Sequence, residues 1–471
     1  MTAGRGDSGH AVTGGDPGTR VRYVADAVVP CDGSGRILVP GVVEVEGDTI
    51  VHVGPVDRQR AALDPGHGEP GGTEPGRAAV GSVTEVRVRG LLLPGLVNVH
   101  CHSPMTLFRG TGENLPLERW LHEVLWPREA QLTPDDVYWG MALGASELLR
   151  FGVTTTCEMY FFEDSVADAV LAAGSRAVIC PGVLQLPGLD GQSWSGRLSQ
   201  IVDFHQRRHG EADRIEVGFG PHAAYTVPLD VLAQTAELAR QLDAMVHIHV
   251  AETEAEVGGF AAEHGCTVPA ALADAGVFDA RVLAAHSIWL TDADLDLYVA
   301  HDVAVAHCPQ SNAKLASGVA RLEDMLARGL RVGLATDGPA SNNDLDLWED
   351  MRLSVMLARI RSRDATSLPA AKVLDLVTRG GAAALGRDDL GSLHAGAKAD
   401  MILMDLEDPA FVPLLEDAQL IEHLVWSSQS RLVTDVWVGG RQVVADGECL
   451  TVDGPEARRE VQQRARRLAD A

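Results

Sequence analysis

Eight short apolar runs, each followed by sequence of helical pattern, fill the middle of this 471-residue chain. They fall at residues 93–102, 153–160, 177–183, 215–222, 245–252, 282–286, 303–307 and 331–337. Apolar runs of strand length alternating with helices indicate βα units and a parallel sheet. Eight of them predict an α/β fold with a (β/α)8 TIM-type barrel over residues 91–391. One helix is marked at both ends. Thr133 can cap it, Pro134 suits its first turn, Asp136 sits where a capping box needs an acid, and Gly152 follows its end near Arg150.

The flanks differ in texture. Residues 21–53 alternate β-rich runs with turns, and β texture returns at 391–406 and 432–450, with a Gly439-Gly440 turn. The two ends together predict one small β-sandwich domain, residues 21–90 plus 392–454. Residues 64–77 hold eight Gly or Pro in 14 positions and are expected to be a flexible insertion. The first 20 residues, with six glycines and no apolar core, are expected to be a disordered tail rather than a signal peptide. Residues 455–471 predict a charged C-terminal helix.

Composition narrows the partners. Acidic residues number 66 against 39 basic ones, a net charge of −27. No nucleic acid partner is expected, because binding one needs a basic footprint. Docking on anionic lipid is disfavoured for the same reason, and no run of 18 apolar residues predicts a membrane span. Seven cysteines, an odd number without a CxxC pair, predict reduced thiols and a cytoplasmic location. The reading leaves room for a homo-oligomer.

Titratable residues gather at the C-terminal ends of the predicted strands, the face on which TIM barrels build their sites. His100 and His102 are two apart, so they share one strand face. Two imidazoles on one face can be a pair of metal ligands, or two ordinary core or rim histidines. His247 and His249 repeat the pattern. His249, nearer the strand end, is the better third ligand, and His247 lies one pleat deeper. Asp337 ends strand eight and suits a fourth ligand that can also accept a proton. Glu252 sits at the rim, where a general acid or base belongs. His222, His286 and His307 end strands four, six and seven.

Four segments carry a resemblance. They are Leu93-Pro94-Gly95-Leu96-Val97-Asn98-Val99-His100-Cys101-His102, Gly220-Pro221-His222-Ala223-Ala224-Tyr225-Thr226, His247-Ile248-His249-Val250-Ala251-Glu252-Thr253 and Thr336-Asp337-Gly338-Pro339-Ala340-Ser341-Asn342-Asn343. Together they resemble the amidohydrolase superfamily, in the branch of methylthioadenosine/S-adenosylhomocysteine deaminases and triazine chlorohydrolases. The resemblance implies one divalent metal ion, usually Zn2+ with Fe2+ as the alternative, held by His100, His102, His249 and Asp337. A two-metal member needs a bridging lysine on strand four, and Lys314, Lys372 and Lys398 all lie beyond strand six. The implied catalytic set is Glu252 as proton donor to a ring nitrogen, Asp337 as proton carrier, and His286 as orienting group. His222 is implied to hydrogen-bond a small heterocyclic substrate.

The implied reaction is hydrolytic removal of ammonia from an amino-substituted N-heterocycle, first among them an adenine nucleoside. The alternatives are deamination or dechlorination of another ring such as 8-oxoguanine, a pterin or a triazine, or a barrel that serves only as a scaffold. Two departures bear on the substrate. Where the nucleoside deaminases place a ribose-binding glutamate, this chain has Arg119, with Glu118 one residue early. Pro181 stands near the place of an arginine assigned to an amino-acid carboxylate. Arg119 is a candidate for an anion or carbonyl of the substrate, or a solvated helix residue. Asn312 is a second candidate substrate contact, with a loop-structural role as its alternative.

Overall fold

The computed structural model describes residues 19–56, 83–185 and 193–469. The expected tail and the 64–77 insertion fall almost wholly outside these residues.

The chain opens with β1 (Arg20–Val28), β2 (Gly41–Glu46), β3 (Thr49–Pro55) and β4 (Val83–Pro94). The barrel strands follow: β5 (Leu96–Cys101), β6 (Val153–Glu158), β7 (Arg176–Ile179), the two-residue β8 (Gly182–Val183), β9 (Ile215–Val217) and β10 (Gly220–Pro221). They continue with β11 (Met245–Val250), β12 (Arg281–His286), β13 (Ala304–His307) and β14 (Val332–Leu334). The chain then returns to the first sheet with β15 (Met401–Met404), β16 (Val433–Val438), β17 (Arg441–Ala445) and β18 (Glu448–Cys449).

The parallel ladders run β5-β6-β7-β9 and β11-β12-β13-β14. Bridges from Phe219 to Val246 and from Ala223 to His249 join the two halves. At the other seam the Asp337 amide donates to the His100 carbonyl at 3.1 Å, and Asn98 Nδ2 donates to Thr336 Oγ1 at 2.8 Å. The result is the closed eight-stranded barrel that the apolar runs predict.

Both chain ends build one sheet, in the order β18-β17-β16-β15-β4-β1-β2-β3. Its two halves join where β15 pairs antiparallel with β4. The first predicted barrel strand, 93–102, is therefore two strands. Its first residues close the small sheet, and the chain passes Gly95 before β5 enters the barrel. Gly95 is required there, because a Cβ would stand 2.2 Å from Thr154 Oγ1.

The marked helix runs Pro134–Arg150, with the capping box between Thr133 and Asp136 in place. The last helix, Gly454–Ala469, buries Ala457, Val461 and Leu468. It is tied to the marked helix by an Arg467–Asp136 contact of 2.5 Å. Gly439 and Gly440, both at positive φ, form the turn between β16 and β17. No helix among the described residues is long and apolar enough to cross a membrane.

Candidate metal centre and active site

β5, β11 and the end of β14 deliver four side chains to one point. Each of His100, His102 and His249 offers a ligand nitrogen, and these nitrogens all lie within 4.8 Å of one another. The Asp337 Oδ1 lies 3.3 Å from Nε2 of both His100 and His102. All four residues are buried.

The hydrogen-bond network settles the direction in which these rings present a lone pair. His247 Nδ1 faces the Leu283 carbonyl at 3.0 Å, and a carbonyl only accepts. His247 therefore carries its proton on Nδ1, and its Nε2 accepts from His100 Nδ1 at 2.6 Å. That leaves His100 Nε2 without a proton. It is buried and has no hydrogen-bond partner. His102 Nδ1 likewise donates to the Met159 carbonyl at 2.5 Å, and His249 Nδ1 to the His222 carbonyl at 2.7 Å. Three Nε2 lone pairs thus converge beside a carboxylate. This is the tautomer pattern of imidazoles that hold a metal ion and are fixed from behind by acceptors. Burial also pushes His100 down to about 4 and His249 well below its usual range, so both rings are neutral. The donor set, three imidazoles and one carboxylate, suits a zinc ion.

Asp337 is itself held from several sides. Its Oδ2 accepts from Ser311 Oγ at 2.6 Å and Ser341 Oγ at 2.8 Å, and its Oδ1 from the Gly338 amide at 2.7 Å. Asp337 and His286 both occupy the left-handed region, at φ +62 and +64. Non-glycine residues in that region are rare, and they cluster at the ends of elements that aim functional side chains.

A cavity with about 690 Å³ of empty space, part of it at the open mouth, lies over this point. Glu252, His222 and His286 line it together with His102, His249 and Asp337. Burial pushes Glu252 up to about 7, so it can hold a proton near neutrality. His286 Nε2 stands 3.7 Å from Glu252 Oε2, and its Nδ1 meets Asn312 Oδ1 at 2.8 Å. Glu252 is fixed by its backbone, whose amide donates to Glu256 Oε2 at 2.7 Å. His222 is pushed down to about 3 by burial and is neutral, with Nδ1 2.9 Å from Thr226 Oγ1.

Two candidate substrate contacts lie elsewhere. Arg119 is on the surface, and Nε and Nη2 each reach a Glu123 oxygen at 2.8 Å. The four-residue spacing on a helix makes Glu123 its natural partner, and neither residue lines the cavity. Asn312 is buried behind His286 and is not among the residues that line the cavity; its Oδ1 meets His286 Nδ1. Glu118, one residue before Arg119, is exposed as well.

The wall also contains residues that sequence patterns did not single out. Leu117, Trp120, Leu121, Leu125, Trp126 and Glu129 come from the irregular helical stretch after β5. Trp120 and Met159 look like core residues in the sequence, yet both face the cavity. Tyr160 and Phe161, which follow β6, form part of the wall, and Phe162 does not.

Comparison with known proteins places this geometry in a family. The amidohydrolase family model matches residues 91–443. The 5-methylthioadenosine/S-adenosylhomocysteine deaminase of Pelotomaculum thermopropionicum is 39% identical over 444 residues, covering 94% of this chain and 97% of its own. The 5'-deoxyadenosine deaminase of Methanothermobacter thermautotrophicus is 42% identical over 359 residues, covering 76% and 83%. Among solved structures, an adenosine deaminase from Xanthomonas campestris with bound zinc superposes with a TM-score of 0.88 at 33% identity. That superposition covers 97% of this chain and 100% of the other.

Proposed function

Because the chain belongs to the amidohydrolase family, we propose that it is a metal-dependent aminohydrolase that removes ammonia from an adenine nucleoside. The observation that carries the reading is the set of three Nε2 lone pairs, each fixed by a committed Nδ1 proton, converging on Asp337. The substrate class rests on relatives named as deaminases of methylthioadenosine, S-adenosylhomocysteine and 5'-deoxyadenosine.

A single zinc ion held by His100, His102, His249 and Asp337 would make a nucleophile available from water at neutral pH. The single-ion reading is supported by the lysines. Lys314 is committed to Glu113 and Asn343, Lys372 to Asp375, and Lys398 to Asp48 and Asp213, so none bridges a second ion.

The protein's own groups then have distinct tasks. Glu252, protonated near pH 7, delivers its proton to the ring nitrogen beside the attacked carbon. Asp337 takes a proton from the nucleophile and passes it to the departing amine; its two serine donors keep the carboxylate oriented. His286 positions Glu252 and is held by Asn312. His222 meets the edge of the heterocycle. The apolar wall around Trp120, Trp126 and Phe161 sandwiches the ring and excludes water.

Two structural readings accompany this one. The small sheet is read as a sandwich formed by both chain ends. Tyr23 on β1 and Trp437 on β16 lie three strands apart, yet their ring centroids are 5.4 Å apart, which a curled sheet allows. Seven cysteines without a disulfide support a reducing, cytoplasmic setting.

The test is ammonia release from adenosine, methylthioadenosine and 5'-deoxyadenosine, with metal content measured on the same sample. Deamination of at least one of them is expected. Full metal loading with ammonia or chloride released only from 8-oxoguanine, a pterin or a triazine would overturn the nucleoside assignment.

A further inference from the structure

We infer that Glu158 is the positioning residue for the ligand His102; the inference rests on the single-ion reading above. His100 stands inside β5, whereas His102 lies one residue beyond the strand's end at Cys101. Its backbone, at φ −126 and ψ 59, is neither strand nor helix. Strand pairing therefore places the first imidazole of the pair and leaves the second to be fixed by other means.

Two consecutive residues at the end of β6 do this. The Met159 carbonyl takes the Nδ1 proton of His102 at 2.5 Å and so sets the ring. Glu158 holds the backbone next to it. Its Oε2 accepts from the Ser103 amide at 2.9 Å, and its Oε1 from the Ser103 hydroxyl at 2.6 Å. With its own proton committed to Glu158, that hydroxyl is the acceptor for the Cys101 thiol at 3.1 Å. The residues on both sides of His102 are thus joined in one hydrogen-bonded chain anchored on β6. Glu158 is fully buried and is not among the residues that line the cavity, so it does not meet substrate. Among the described residues no basic side chain pairs with it. A buried carboxylate without a cation is costly. Its two bonds to one residue are what it contributes here. An ion tolerates errors of only about 0.2 Å in its ligand distances, so a loose backbone at 102–103 would weaken the site.

Zinc affinity reads the placement of His102 without any turnover. The full chain is stripped of metal and titrated with zinc against a chelator of known affinity. Glu158→Ala should weaken binding about 10- to 100-fold, as for other residues that orient a ligand from behind. Glu158→Gln should recover most of that loss. Its side-chain oxygen can still accept from the Ser103 amide, while its nitrogen donates to the hydroxyl. Ser103→Ala removes one of the two bonds and is the milder change if Glu158→Ala does not fold. Its affinity should fall below wild type, by no more than about tenfold. The thermal midpoint of each metal-free protein is measured alongside. Lowered midpoints with wild-type zinc affinity in Ser103→Ala or Glu158→Ala would make Glu158 merely structural and overturn the inference. A Glu158→Gln variant as weak as Glu158→Ala would overturn it too, by assigning the effect to charge. A wild type that takes up no zinc marks a different failure, that of the single-ion reading itself, and the inference falls with it.

Discussion

His247 shows how one residue can matter without touching any ligand. Its Nε2 receives the Nδ1 proton of His100, and so forces the lone pair of His100 into the centre. His247→Ala would leave that proton unpaired in a buried site. Zinc affinity should fall about 10- to 100-fold, as for other residues that orient a ligand from behind. A chelator-competition titration reads this directly, and unchanged affinity would refute the orienting role. Glu252→Gln should behave oppositely, keeping the metal at wild-type stoichiometry while kcat drops by about 10²- to 10⁴-fold. Burial raises Glu252 to about 7, so the proton-bearing form is full below that pH and is lost above it. Wild-type kcat/KM should therefore decline as pH rises through about 7. A flat profile from pH 6 to 9 would remove Glu252 as the acid. The strand-end histidines and Asp337 were legible because two-residue spacing on a strand fixes which side chains share a face. Arg119 and Asn312 were not, because each is decided by a local partner, Glu123 or His286, that no period reveals. Glu129 was hidden for a related reason. It sits in a four-residue helix too short to show an amphipathic pattern.

Strands and helices followed their local signals closely. The capping box at Thr133 and the glycine pair at 439–440 are read from residue identity alone, and both occur where the chemistry demands them. The break in the first barrel strand leaves no local signal, since Leu91–Leu93 and Leu96–Val97 are equally apolar and both buried. What separates them is tertiary. One half pairs with β15 and the other with β6, and Gly95 is the only residue type that clears Thr154 between them. Gly95→Ala should destabilise the fold by about 1–3 kcal/mol, the usual cost of overpacking. Denaturant unfolding measures it. A midpoint equal to wild type would mean that Thr154 swings aside freely.

Across the whole molecule the candidate centre doubles as a closure. His100 lies on the first barrel strand and His102 directly after it, while Asp337 follows the last, and they meet at the seam beside the Asn98–Thr336 bond. An ion shared by these residues would stabilise only the closed form. Saturating chelator should therefore lower Tm, by the equivalent of about 4 kcal/mol if the free ion stood at 1,000 times its dissociation constant. Zinc should restore it, and His249→Ala should make Tm insensitive to both treatments. A wild-type Tm indifferent to chelator, with the metal verifiably gone, would show that the seam holds by itself.

The pairing of β4 with β15 has a consequence for biosynthesis. A ribosome makes the chain from its amino end, so the edge of β4 waits for Met401–Met404 before it gains a neighbour on that side. Throughout that delay an apolar ribbon, Leu91 to Leu93, stays open to any passing strand. Shielding of the nascent polypeptide over this interval would keep that edge from mispairing, and a stop codon anywhere before residue 401 removes the strand that completes the first sheet.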